Sequence, residues 1–403
     1  MTGFAPRLLW SETEGELYRE FLKISVEPPD AAQLASDSIR RMIRVSGVPS
    51  RLLVQLRQEM HVLGGEVAAA SGALGVTDVI LAGSPPTLAL LRERLAASEG
   101  RSTELAAELA ILLRNLERPP TQLSGRSCQL SLDRPRIMGI LNITPDSFSD
   151  GGHYSCTESA LRRGLEMAAE GADIIDVGGE STRPGAAQVS AQEEMDRVLP
   201  VLEALRREVA VPLSVDTNKA AVARAGVASG AEFINDISGL QFDPKMAGVA
   251  AETGAGLFLM HTRGRPEQMQ ENTVYTDLLG EVIACLREAT AQAVAAGVQL
   301  EKIAVDPGIG FGKSADGNLE LLRHLPELQS LGRPVLLGTS RKSFIGRVTG
   351  QPDPEQRLAG TLATVALGVM RGAHIFRVHD VRPSREAALM AWAVRRGMEP
   401  GTD

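Results

Sequence analysis

Polar side chains close a series of short apolar runs in the C-terminal two thirds of this chain: Asn142, Asp176, Asp216, Asn235, His261, Asp306, Arg341 with Lys342, and Arg377 with His379. Taken singly, each is as well explained by a turn or a helix cap. Gathered on one rim, they suggest two kinds of chemistry. Asp216, Asn235 and Asp306 offer planar donors and acceptors suited to the edge of a fused heterocycle with amino and lactam groups, a guanine-like or pterin-like face. Lys342 could donate to a ring oxygen or nitrogen, and the flat guanidinium of Arg377 could lie on the ring or grip an anion. Arg377 and His379 are two residues apart in one run, so a strand would point both to the same face. With Asn142 and a divalent ion they could hold a phosphate group; the alternative for Arg377 is a salt bridge to a carboxylate inside the protein.

Two segments rich in glycine and hydroxyl residues follow the first two runs, NITPDSFSDGG and GGESTRPGA. Their composition suits lids that close over a substrate, with Thr144, Asp146, Ser147, Thr182 and Arg183 as reaching groups, although ordinary surface turns would use similar residues. SRKSFIG places Ser343 where a helix can begin. GxSxG, HExxH and GxxxxGK[ST] are missing from the sequence, which gives no support to a serine hydrolase, a zincin or a P-loop kinase. A magnesium ion held by oxygen atoms and substrate phosphate would leave little signature of its own.

The elements that must position these residues are strands and helices in alternation. Strands are expected at 137–142, 173–179, 212–216, 233–238, 256–261, 302–307, 334–340 and 374–380, each followed by an amphipathic segment of helical length. Eight such units over about 270 residues predict an α/β fold of the (β/α)8 TIM-barrel type, whose active sites lie at the carboxyl ends of the strands. No GxGxxG follows the first strand, so a dinucleotide-binding sheet loses its main support. Pro, Ser and Gly concentrate over 117–136, which places a domain boundary there: 1–125 as a smaller N-terminal α/β domain of unassigned role and 126–403 as the barrel. In the N-terminal domain RMIRVSG and VTDVILAG read as strands, and SRLLVQLRQEMHVLGG and SPPTLALLRERLAAS as helices.

Composition bounds the remaining possibilities. Hydrophobic residues at 43% and charged residues at 23% are those of a soluble globular protein, and a formal net charge of -8 argues against a broad basic face for nucleic acid. No apolar run approaches the ~18 residues of a membrane span. The three cysteines have no metal or redox spacing, so a reducing, cytoplasmic setting is expected.

In order and spacing, IMGILNITPDSFSDGG, ADIIDVGGESTRPGA, PLSVDT, FINDISG, FLMH, VDPGIGFGK, GTSRKSFIG and RVHDV resemble the motifs of dihydropteroate synthases, from residue 128 to about 397. The resemblance implies transfer of a pterinylmethyl group from a dihydropterin pyrophosphate to p-aminobenzoate, with magnesium as cofactor and a homodimer as the assembly. It implies pterin contacts for Asp216, Asn235, Asp306, Lys342 and Arg377, and diphosphate contacts for Asn142, Arg377 and His379, Asn142 also touching the metal. Asp306, Lys342, Arg377 and His379 would be the catalytic groups. Around p-aminobenzoate it places Thr182, Arg183 and Ser343, with Phe148, Pro184 and Phe311 as apolar walls; Asp176 receives no definite role. The N-terminal domain departs from the single-domain pattern. Rival readings are a pterin-dependent methyltransferase, which would not need the diphosphate grip, and a non-catalytic pterin-binding protein, which would be expected to have lost part of it.

Overall fold

Apolar runs too short for helices form two separate sheets and a hairpin among the described residues. The computed structural model describes residues 9, 13–70, 75–143, 153–181 and 188–397. The chain divides into two compact units, Met1–Glu117 and Arg118–Asp403.

Among the described residues of the N-terminal unit, β1 (Arg41–Pro49), β2 (Glu66–Ala69) and β3 (Val76–Gly83) form an antiparallel sheet in the order β1-β3-β2. Helices Ser50–Val62, Pro85–Ala96 and Arg101–Glu117 supply most of its core. Leu88, Leu91 and Leu95 recur at the spacing of one helix face and are fully buried. Ser84 caps its helix by accepting the Thr87 N–H, ahead of a proline pair that suits a first turn. The short strand β2 and the helices Glu14–Lys23 and Pro28–Ser38 were not foreseen; EVAA is too short to show a period.

The second unit opens on a hairpin, β4 (Gln122–Ser124) with β5 (Gln129–Ser131), in the stretch whose Pro, Ser and Gly suggested a break. Eight parallel strands follow among the described residues: β6 (Arg136–Asn142), β7 (Ile174–Gly178), β8 (Leu213–Asp216), β9 (Phe233–Asp236), β10 (Gly256–Met260), β11 (Ile303–Asp306), β12 (Leu336–Leu337) and β13 (Ile375–Val378). Their order is β11-β10-β9-β8-β7-β6-β13-β12, and a parallel bridge between Val305 and Val335 closes the cylinder. Of the expected seventh strand only Leu336 and Leu337 pair as a regular strand, with Val335 in the closing bridge.

Both faces of these strands are covered, which is why they read as nearly continuous apolar runs. Outward residues such as Ile175, Val215, Ile234, Leu257 and Phe376 pack in the layer shared with the surrounding helices. Inward residues Met138, Ile174, Phe233, Phe258, Ala304, Leu336 and Ile375 join Leu123, Leu130 and Leu132 in a separate plug at the strands' amino ends. Among the described residues no helix is long and apolar enough to cross a membrane.

Candidate active site

The period of two that builds the plug also builds the site. One step along from Ile174, Ser214, Phe233, Ala304 and Ile375, the next inward positions are Asp176, Asp216, Asn235, Asp306 and Arg377, so a polar layer lies on the apolar one toward the carboxyl ends. Strand pairing sets the heights: Asp216 is level with Asn235, and Gly178 with both Asp216 and Asn142.

Arg377 organises one half of this layer. Its Nε donates to Asp176 Oδ2 at 2.7 Å and an Nη to Asp216 Oδ2 at 2.5 Å. Asn235 donates its amide to the same Asp176 oxygen at 2.9 Å, which leaves the carboxamide oxygen as its acceptor group. The second oxygens of Asp176 and Asp216 are buried without a hydrogen-bond partner in the protein. Two buried acceptors and an amide oxygen on an apolar floor suit a ligand rich in N–H donors. Burial raises the Asp216 carboxyl to about 7 against the attraction of Arg377, and the neighbouring carboxylates, Asp176 first, push in the same direction. The ion pairs lift Arg377 further above its usual range. One guanidinium cannot neutralise two carboxylates, so Arg377 stays charged and the surplus negative charge falls on the pair. The salt-bridge alternative for Arg377 is therefore realised, and it aims the recognition groups.

The other half is Asp306 with Lys342. Asp306 Oδ1 accepts the Gly308 N–H at 2.7 Å. Burial raises its carboxyl, opposed first by Lys342. Lys342 donates to the Ile309 carbonyl and lies 4.5 Å above the Phe311 ring. Desolvation lowers its ammonium to about 8. Before it, Arg341 adopts φ +60, an uncommon conformation for a side chain of this size. It is held there by a two-pronged ion pair to Asp380 at 2.7 and 3.0 Å and by the Thr361 hydroxyl on its N–H. Backbone strain braced this heavily is a feature of functional loops. Gly308 has φ +67, and a Cβ there would collide with the His261 carbonyl oxygen. Gly308→Ala is expected to lower stability by at least about 1–2 kcal/mol, read by urea unfolding, because both its backbone conformation and the space exclude a methyl.

His379 lies beside this loop. Its main-chain N–H donates to Ser340 Oγ at 3.2 Å, and that hydroxyl lies 3.0 Å from the ring's Nδ1. A hydroxyl can serve Nδ1 as donor or as acceptor, and either way the contact ties the His379 ring to the Ser340 loop.

The model for "Pterin binding enzyme" matches residues 138–379. The dihydropteroate synthase of Bacillus subtilis is 51% identical over 266 residues, 66% of this chain and 90% of that protein. A solved structure of Xanthomonas albilineans dihydropteroate synthase with 4-aminobenzoic acid superposes with a TM-score of 0.65 at 46% identity, covering 69% of this chain and 99% of that one. This chain belongs to the dihydropteroate synthase family. A longer relative, the "Probable bifunctional folylpolyglutamate synthase/dihydropteroate synthase" of Halobacterium salinarum, is 41% identical over 379 residues, 93% of this chain and 45% of its own length. That match is longer than the barrel unit, so it extends into the N-terminal unit.

As a member of this family the chain brings Asp216, Asn235, Asp306, Lys342 and Arg377 together on one rim, with His379 one residue past the strand of Arg377 and Asn142 ending the adjacent β6. Phe311 is half-buried beneath Lys342, and Ser343 is the exposed first residue of helix Ser343–Thr349. Thr144, Asp146, Ser147, Phe148, Thr182, Arg183 and Pro184 lie outside the described residues. The sequence reading had no role for Ser340 or Lys313 and none for Asp176 beyond its motif. Ser340 and Lys313 stand inside motifs already singled out, SRKS and VDPGIGFGK, and their membership was the available signal.

Proposed function

We propose that this chain condenses 6-hydroxymethyl-7,8-dihydropterin pyrophosphate with p-aminobenzoate to 7,8-dihydropteroate and pyrophosphate. The observation that carries the reading is the cross-strand group of Asp176, Asp216, Asn235 and Arg377, whose unpartnered carboxylate oxygens suit a ring's N–H edge beside the Asp306–Lys342 pair. The Xanthomonas albilineans relative, whose structure contains 4-aminobenzoic acid, supports the second substrate.

An arylamine is neutral and nucleophilic at pH 7, so no strong general base is required. Its nitrogen bonds to the pterin methylene carbon as the carbon–oxygen bond to diphosphate breaks, and the amine then releases a proton. Arg377 and His379 stabilise the departing diphosphate, and Lys342 donates to the pterin ring. The Asp306 carboxylate offsets positive charge spreading into the dihydropterin. Following the resemblance, Thr182, Arg183 and Ser343 bind p-aminobenzoate between Phe148, Pro184 and Phe311, while Thr144, Asp146 and Ser147 belong to the closing segment.

Magnesium fits the donor set. Among the described residues no group of three His, Cys, Asp or Glu could hold an ion. A magnesium ion held mainly by substrate diphosphate and water would need no such cage, and Asn142 would provide the protein oxygen. When bound, it supplies charge neutralisation on the diphosphate.

The deciding experiment incubates the purified chain with both substrates and magnesium and follows dihydropteroate by chromatography; absence of product removes the assignment. Addition of EDTA is expected to lower turnover by at least about tenfold, with recovery on excess magnesium. Full activity in EDTA would remove the metal from the proposal. The same reading proposes a cytoplasmic homodimer, supported by the exposed Leu367, Met370, Met390 and Val394 on helices Leu358–Met370 and Val381–Arg396. A monomeric mass in solution would remove the dimer.

A further inference from the structure

One buried charge next to the pocket has no part in the reaction as described. Lys313 closes VDPGIGFGK and is only 2% exposed. Its ammonium lies 2.9 Å from His261 Nδ1, 2.9 Å from the carbonyls of Gly308 and Phe311, and 3.3 Å from the carbonyl of His261. Three N–H donors are thus shared among four acceptors from the end of β10 and the turn after β11. Burial lowers the His261 ring to about 3, so it is neutral and accepts at Nδ1. Burial also lowers Lys313 to about 7, opposed by the Asp306 carboxylate.

An apolar side chain of the same volume would avoid the cost of burying an ammonium. It could not satisfy three carbonyl oxygens aimed at one point. Those carbonyls converge because Gly308, Gly310 and Gly312 all take positive φ, +67, +85 and +64, folding the turn back on the His261 carbonyl. The same turn carries three contacts that aim the Lys342 half of the site: the Gly308 N–H on Asp306, the Ile309 carbonyl on Lys342, and the Phe311 ring beneath it. Outside it, Gln270 donates to the Gly310 carbonyl at 3.0 Å and Tyr275 to the Gly312 carbonyl at 2.9 Å. These braces are more exposed than the lysine.

We propose that Lys313 is a positioning residue of the pterin pocket, pinning the 308–311 turn to the end of β10 and thereby setting where Lys342 and Asp306 meet the ring. The inference rests on the functional reading above, since it needs a pterin in that pocket.

The test uses the full chain, with 6-hydroxymethyl-7,8-dihydropterin as the calorimetric probe, steady-state kinetics alongside, and thermal melting to establish folding. Lys313→Met is expected to bind the probe about 30-fold more weakly, with a matching rise in KM for the pterin substrate and kcat within about threefold, the pattern of lost ground-state binding. His261→Asn keeps an acceptor near the Nδ1 position and is expected to bind within about threefold of wild type, whereas His261→Leu loses about tenfold. A folded K313M with wild-type affinity overturns the proposal. Should K313M fail to fold, equal affinities of H261N and H261L overturn it. A wild-type chain that binds no pterin sinks the functional reading and this one with it, whereas wild-type binding with indifferent variants sinks this one alone.

Discussion

Arg377→Met is expected to abolish measurable condensation and also to destabilise the barrel by about 3–5 kcal/mol, the cost of leaving buried charge uncompensated. Arg377 is the partner of two carboxylates, Asp176 with no exposed side-chain surface and Asp216 with 7%. Each already has one oxygen with no hydrogen-bond partner in the protein. Without the guanidinium these charges would have to take up protons or admit water. The same arginine orders Asp176, which in turn orients Asn235, so ring recognition and the diphosphate grip are lost together. A fall in kcat/KM of at least about 1000-fold follows from removing a preorganised cation in a low-dielectric site. Urea unfolding and product assays check the two halves separately. Adding Asp176→Asn to R377M removes one surplus charge and is expected to return part of the stability but none of the activity. R377M with wild-type stability would mean that the ion pairs do not form in solution.

The second large effect concerns Lys342. Desolvation lowers its ammonium from the ordinary 10.5 to about 8, with Asp306 opposing and Arg377 reinforcing the shift. For kcat/KM, which reports the free enzyme, an alkaline limb is therefore expected near pH 8 as the donor to the ring is lost. Lys342→Met is expected to lose about 1000-fold in kcat/KM at pH 7. Lys342→Arg keeps the cation protonated throughout, so its weaker activity should lose that limb and run flat to higher pH. An unchanged limb in K342R would assign the titration to another group, with Lys313 next in line at about 7. The stability linkage has its own sign. Between about 8 and 10.5 the unfolded chain binds more protons at Lys342 than the folded one, so this residue's contribution to stability rises with pH across that window and is absent below about 8. K342M should remove that slope, as seen in denaturant midpoints measured from pH 7 to 10.

The two largest effects fall on residues that were legible for different reasons. Arg377 takes an inward period-two position of β13, which is a property of the chain alone, whereas His379 falls one residue beyond that strand. Lys342 follows its strand in SRKS, where its charge suggested a donor to the ring and the resemblance made that donor a pterin contact. Asp176 shows the limit: its position in DIIDVGG was visible, but what it does depends on Arg377 from β13 and Asn235 from β9, far away in sequence.

Residue order by itself determined the eight-unit barrel, the inward and outward faces of its strands, and the rim on which polar groups collect, because these follow from local periodicity and from the parallel pairing that βα units impose. It did not determine that 122–131 pairs as a hairpin contributing to the plug, that Ser340 meets both the main-chain N–H and the ring of His379, or that Lys313 is buried against three carbonyls. Those depend on the register between strands and on which backbone groups remain unpaired once the cylinder closes. Hydrogen-bond satisfaction across the closed sheet is a property of the assembled fold, and no window of neighbouring residues contains it.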